Sequence, residues 1–288
     1  MAGFRGIADV VDAEREGRSR RYTWRKSPSQ VTTIGIWFDI TSSPGNPVAK
    51  FWFDAPPLIA KAISQSVDGG IFHGANVSPS QKVIRKFVSM TSTATALPMD
   101  MYVCDYLLYY PTIGDDIIDP QILDNTVTLP RYTDGEGVMM MAVSLAARTG
   151  GSTFQVSYTN SEGVSGRTSK VMTMNGETSI GSIATSGRAV SGSGNPFIGL
   201  ADGDTGVRSI ESLTMLTPDS GGLFALVLVK PLFQTQIRGI DAPVEKDLLI
   251  QNAQLPVVQD DAFISFVCLP SSAVNGTVMM GDMQVVFN

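Results

Sequence analysis

The chain has little of the side-chain chemistry on which most enzymes depend. It has one histidine, His73, in 288 residues. A Ser-His-Asp triad or a histidine acid would have to use it. No serine sits in a GxSxG elbow, and a lone histidine in the Gly-rich run "GIFHGAN" reads as structural or exposed. The expectation is a chain with no catalytic set, and no hydrolase activity that depends on His73. Cysteine is equally scarce. Cys104 and Cys268 lie in apolar, strand-like contexts, where free cysteine behaves as a small hydrophobe. No CxxC or Cys/His spacing occurs, so a structural zinc site is not expected, and two lone cysteines make no disulfide framework.

Charge is also sparse, at 17% against 43% hydrophobic residues. That balance argues against disorder. It is consistent with a surface partly covered by other subunits, although Ser, Thr, Asn and Gly could solvate a free surface equally well. The net charge is −6, the wrong sign for a general nucleic-acid binder. No apolar run approaches the length of a membrane span, and the N-terminal stretch lacks an apolar core of signal-peptide length. Without a secretion signal, the glycosylation patterns at Asn76 and Asn275 carry no weight. No cofactor is expected.

What is present is β patterning. "VTTIGIWFDI" is rich in β-branched and aromatic residues and is stopped by "TSSPGNP". "AKFWFD" is a second strand candidate. "APPLIAKAISQS" places Leu58, Ile59, Ala62 and Ile63 at helical spacing, which predicts a short helix. "KVIRKFVSMTSTAT" fits a helix at its start and a strand at its end. "MYVCDYLLYYP" predicts a buried strand stopped by Pro111, followed by a long polar connection through residues 113–137. From there strands and turns alternate to the C-terminus. In "FQVSYTNSEGVSGRT" a strand runs into a turn, and Asn160 and Gly163 tolerate the positive φ that such turns use. Long helices alternating with strands are missing, which argues against parallel α/β architectures. The expected fold is mainly β, a jelly roll or β-sandwich, with a short helical segment and an extended N-terminal arm. Residues 1–30 form the arm and 31–288 the body, with 130–137 as the place of any division.

Several clusters invite a functional reading, each beside a plainer one. Residues 2–26 carry an acidic segment, Asp9 to Glu16, then a basic one, Arg18, Arg20, Arg21, Arg25 and Lys26. A solvated charged arm is the plain reading. The sharper one is an arm that docks on a neighbour through Ile7, Val10, Arg20, Arg21, Trp24 and Arg25. "RRYTWRK" also interleaves aromatics with cations as single-strand nucleic-acid binders do, but docking is preferred in an acidic chain. Asp202 and Asp204 lie in "GLADGDTGVR", and Asp115, Asp116, Asp119 and Asp124 in the long connection. The first pair could belong to a calcium loop, and the second group could bind a cation or serve as paired glycosidase acids; a plain loop and a solvated acidic loop are the preferred readings. The Gly-rich "TSGRAVSGSGN" lacks the Lys-Ser/Thr ending of a P-loop.

The stretches "YTWRKSPSQVTTIGIWFDITSSPGNP", "DYLLYYP", "LPRYTDGEGV", "FQVSYTNSEGVSGRT" and "GDTGVRSIESLTM…GGLFALVLVKPL" resemble a group of uncharacterised structural proteins of tailed bacteriophages. The resemblance runs from about Tyr22 to Pro231 and carries no known chemistry. It implies a non-enzymatic virion component made in the host cytoplasm, such as a cement, decoration or minor head protein. A minor tail or head–tail junction protein is the alternative, and a carbohydrate-binding or glycan-degrading β protein is the alternative of another class. The implied partners are the major capsid protein or other virion subunits and further copies of the chain, with a trimer favoured. Neither sequence-specific nucleic acid nor membrane is implied.

Overall fold

The computed structural model describes residues 3–187, 194–252 and 255–288. Within them three antiparallel sheets are built on nine longer strands: β1 Ser19–Lys26, β2 Lys82–Thr91, β3 Met99–Gly114, β4 Met139–Ser144, β5 Thr153–Asn160, β6 Val207–Thr217, β7 Leu223–Ile237, β8 Phe263–Pro270 and β9 Met279–Phe287. Three helices, α1 Ile7–Arg15, α2 Gln65–Asp68 and α3 Leu248–Gln251, complete the frame with several very short strands. The architecture is mainly β with little helix, a sandwich-like arrangement without a closed barrel, as the patterning predicts.

The central sheet pairs β8, β3, β7 and β4 in that order. Its two longest strands, β3 and β7, are apolar on both faces, as strands covered from both sides must be. One face of β3 serves two cores. Met99, Met101 and Val103 pack with Trp24, Phe87 and Met283 of a sheet in which β2, β9 and β1 are neighbours. Leu108, Tyr110 and Ile113 pack with Phe154, Tyr158 and Leu213 of the third sheet, built on β5 and β6. The opposite face, through Cys104, Tyr106 and Tyr109, meets Trp37, Trp52 and Ile183. Both cysteines are buried and free.

Asp105 lies between the two cores, after Val103 and before Leu107. Its carboxylate is fully buried and accepts a two-pronged bond from Arg131, Nε to Oδ2 at 2.9 Å and Nη2 to Oδ1 at 2.8 Å. Arg131 also donates to the carbonyls of Ile63 and Tyr106, and Phe263 N–H donates to Asp105. Burial pushes the Asp105 carboxyl up, and the guanidinium opposes that shift. Four elements are thereby tied at the seam by a pair that has its hydrogen bonds satisfied on both sides.

Four local expectations need correction. Residues 19–26 are not an extended arm. They form β1, paired along its whole length with β9. Residues 58–63 are not helical. Leu58 sits at φ 60°, its N–H donates to Pro111 O, and Lys61–Ala62 pairs with β3. Pro111 does not stop β3, which continues to Gly114. Thr112 takes φ 60° and the register with β7 shifts there, so the missing proline N–H falls at an irregularity. In the turn after β5, Gly163 and Gly166 take positive φ but Asn160 does not. Instead Asn160 Oδ1 accepts the N–H groups of Glu162 at 3.1 Å and Val164 at 2.9 Å.

Candidate interaction surface

The N-terminal segment carries the residues expected to meet a partner, and two periodicities place them. Helix α1 begins after Gly6 without a side-chain cap, and Gly17, at φ 79°, follows its end. Its buried residues are Val10 and Ala13, which pack on Val83 and Val286 of the sheet beneath. Ile7 and Val11 remain exposed. In β1 the strand period takes over. Trp24 and Lys26 point inward, while Arg21, Thr23 and Arg25 point outward.

Trp24 is therefore a core residue rather than a partner contact, and Val10 is buried beneath α1 on Val83 and Val286. Trp24 stacks on Phe87 at 5.6 Å and meets Phe266 edge-on at 4.8 Å. Ile7, Arg20, Arg21 and Arg25 lie on the surface. Arg20 bonds to the carbonyls of Gly17 and Ser19, and Arg21 pairs with Asp282 at 2.8 Å. Arg25 has no side-chain partner among the described residues. Lys26 is buried, with Nζ 3.0 Å from Ser43 O. Burial brings its pKa down to about 8 against the raising effect of Asp39. Asp39 itself accepts from Thr41, Trp52 Nε1 and Tyr106 Oη.

Between α1, α3 and the start of β2 lies an apolar groove of about 300 Å³. Phe4, Ile7, Val10, Val83, Leu249 and Val257 line it, and Arg5 sits at its edge. The Arg5 side chain is exposed and has no partner among the described residues. Sequence periodicity pointed to α1 but not to this groove, because its other walls come from the start of β2 and from α3, both far along the chain.

A second surface lies in the connection after β3. Residues 116–120, Asp-Ile-Ile-Asp-Pro, are exposed without interruption, and Ile122 follows. Ile118 is 62% exposed and Ile122 68%. The carboxylates singled out here do not converge. Asp115 turns inward to the Gly222 N–H and lies 3.9 Å from the buried Arg148. Asp124 accepts from Thr126 N–H at 2.7 Å. Of these four, Asp116 and Asp119 have no partner among the described residues, and they stand one on either side of the two isoleucines. Reading the connection for its charge overlooked those isoleucines, although two large aliphatics in a polar loop are themselves a signal.

The other singled-out residues are engaged internally. Asp204 accepts from Arg167, Tyr158 and Asn160, and its pKa falls to about 2, the Arg167 bond being the largest cause. Asp202 pairs with Lys170 at 2.6 Å. His73 is buried. Its Nε2 lies 2.8 Å from Ala262 O and its Nδ1 2.9 Å from Lys82 Nζ. Burial, then the nearby Lys82 cation, brings its pKa down to about 4. The neutral ring thus donates from Nε2 and accepts at Nδ1. Among the described residues no group of three or more His, Cys, Asp or Glu is placed to hold a metal. No described helix is long and apolar enough to cross a membrane. All three tryptophans are buried, so none offers a face on which a sugar could stack. Most of the Gly-rich stretch, residues 188–193, lies outside the described residues. No family model, no curated protein and no solved structure matches the chain.

Proposed function

We propose that the chain is a structural subunit of a tailed-bacteriophage particle and works through protein–protein contacts as a cement, decoration or minor head protein. One observation supports this reading above the rest. Large aliphatic side chains stand in solvent at Ile7, which lines the α1–α3 groove, at Ile250 of α3, and close together in sequence at Ile117, Ile118 and Ile122 after β3. Leaving such groups in water forgoes roughly 1.5–3 kcal/mol for each that a partner could bury. Clusters of this kind mark interaction sites. The sequence resemblance supplies the particle, and the exposed clusters supply the means of holding to it.

The test is mass spectrometry of purified virions from a phage that encodes the chain, with labelled antibody to locate it. The reading expects the protein in the particle at fixed copy number, on the head. Its absence from purified virions would refute the reading, and label confined to the tail would move it to a tail or junction role.

A further inference from the structure

We infer that the 116–120 loop of one copy docks in the α1–α3 groove of a second copy, so that the chain assembles head to tail. The inference rests on the reading of the chain as a structural subunit and deepens it by naming a partner.

The loop and the groove are complementary in three respects. First, the loop offers two adjacent aliphatic side chains, Ile117 and Ile118, and the groove is lined mainly by apolar side chains, with Gln81 and Asn252 among them. Second, the groove volume of about 300 Å³ is at the low end for ligand pockets, which suits a pair of branched side chains rather than a large ligand. Third, Asp116 and Asp119 flank the isoleucines, Arg5 lines the groove, and none of these three side chains has a partner among the described residues. A carboxylate beside a guanidinium there gains a charge-assisted bond as the apolar groups are buried. Asp9 lies near Arg5, but its carboxylate already accepts the Arg5 N–H at 2.7 Å.

A loop cannot fill the groove of its own chain. It leaves the Gly114 end of β3, whereas the sheet that carries α1 covers the Met99–Val103 end. From Val103 to Gly114 the strand runs roughly 30–35 Å at the usual rise per residue. The groove also lies on the outer side of that sheet, beneath α1. The two surfaces therefore meet only between copies. Because they differ, the contact is heterologous. It closes into a ring if the rotation allows and extends otherwise.

The experiment is sedimentation velocity on the full chain and two surface variants across the micromolar range. The first variant is Ile117→Ser with Ile118→Ser, and the second is Ile7→Glu. All three positions are exposed, so both variants should fold, as circular dichroism would verify. The wild type should associate, and each variant alone should do so at least about tenfold more weakly. Mixing the two variants is the decisive arm. One retains an intact groove and the other an intact loop, so the mixture should form heterodimers and nothing larger. A wild type that stays monomeric overturns the inference. So does an oligomer that both variants leave unchanged, or a mixture that fails to pair. Each of these outcomes is separate from the virion analysis, since the protein can be present in particles without this contact.

Discussion

Replacing Arg131 with Met should be among the most damaging single changes away from the apolar cores. The side chain bridges Asp105 by two bonds and the carbonyls of Ile63 and Tyr106 by two more. Methionine keeps much of the stem and packing but removes the charge and the donors. Asp105, with no exposed surface, would keep only the Phe263 N–H. Breaking one side of a buried pair costs about 3–5 kcal/mol, because the remaining charge is uncompensated. A carboxyl so placed escapes part of the cost by taking up a proton, so the loss should be smaller in acid than at neutral pH. The companion change, Asp105→Leu with Arg131→Met, removes both charges. It should be less destabilised than Arg131→Met alone, since apolar replacement of a buried pair is often tolerated. Urea unfolding of the wild type, both single variants and the double variant closes the cycle. A loss below about 1 kcal/mol for Arg131→Met would refute the reasoning. So would a double variant whose loss equals the sum of the two singles.

Four further outcomes follow from named contacts. Trp24→Ala should cost about 3–5 kcal/mol in chemical unfolding, whereas Arg25→Ala should stay within about 0.5 kcal/mol, because adjacent residues of β1 face opposite sides. Deleting residues 2–26 should unfold the sheet rather than trim an arm, and a soluble truncated chain with wild-type near-UV dichroism would contradict this. His73 is held neutral, with a folded pKa of about 4 below the ordinary 6.5. The unfolded chain binds the extra proton between those values, so stability present above pH 6.5 should fall as the pH drops through this window and level off below 4. The His73 share is at most about 3 kcal/mol, and His73→Gln should flatten that part of the stability profile; an unchanged profile would sink the assignment. Gly281→Ala should cost about 1–3 kcal/mol or more in thermal melts, because a Cβ there would meet the Val88 carbonyl oxygen; a neutral result would mean that β2 yields to it.

Much of the β framework was legible in local pattern. "TFQVSYT" alternates in sequence, and β5 alternates in burial from Thr153 to Asn160. "GLFALVLVKPL" is apolar without alternation, and β7 is covered on both faces. Two of the misread segments share one feature: their hydrogen bonds run to distant residues. Leu58 to Ile63 has helical spacing, yet Leu58 N–H finds Pro111 O and Ile63 N–H finds Leu107 O. "RRYTWRK" carries a strand period of its own, but its charge made it read as a solvated arm. Only the presence of β9 beside it, more than two hundred residues later, makes it an interior strand.

Sequence alone determined that this chain is a turn-rich β protein with an apolar interior, because side-chain period and turn chemistry act over a few residues. Tertiary structure decided which charges are buried, which tryptophans are core and which isoleucines are left in water. Asp105 and Asp116 are the same residue type eleven positions apart. One is held under a guanidinium at the seam of two cores, and the other stands free at the tip of a loop. That difference arises from elements brought together by long-range pairing, so no local window contains it.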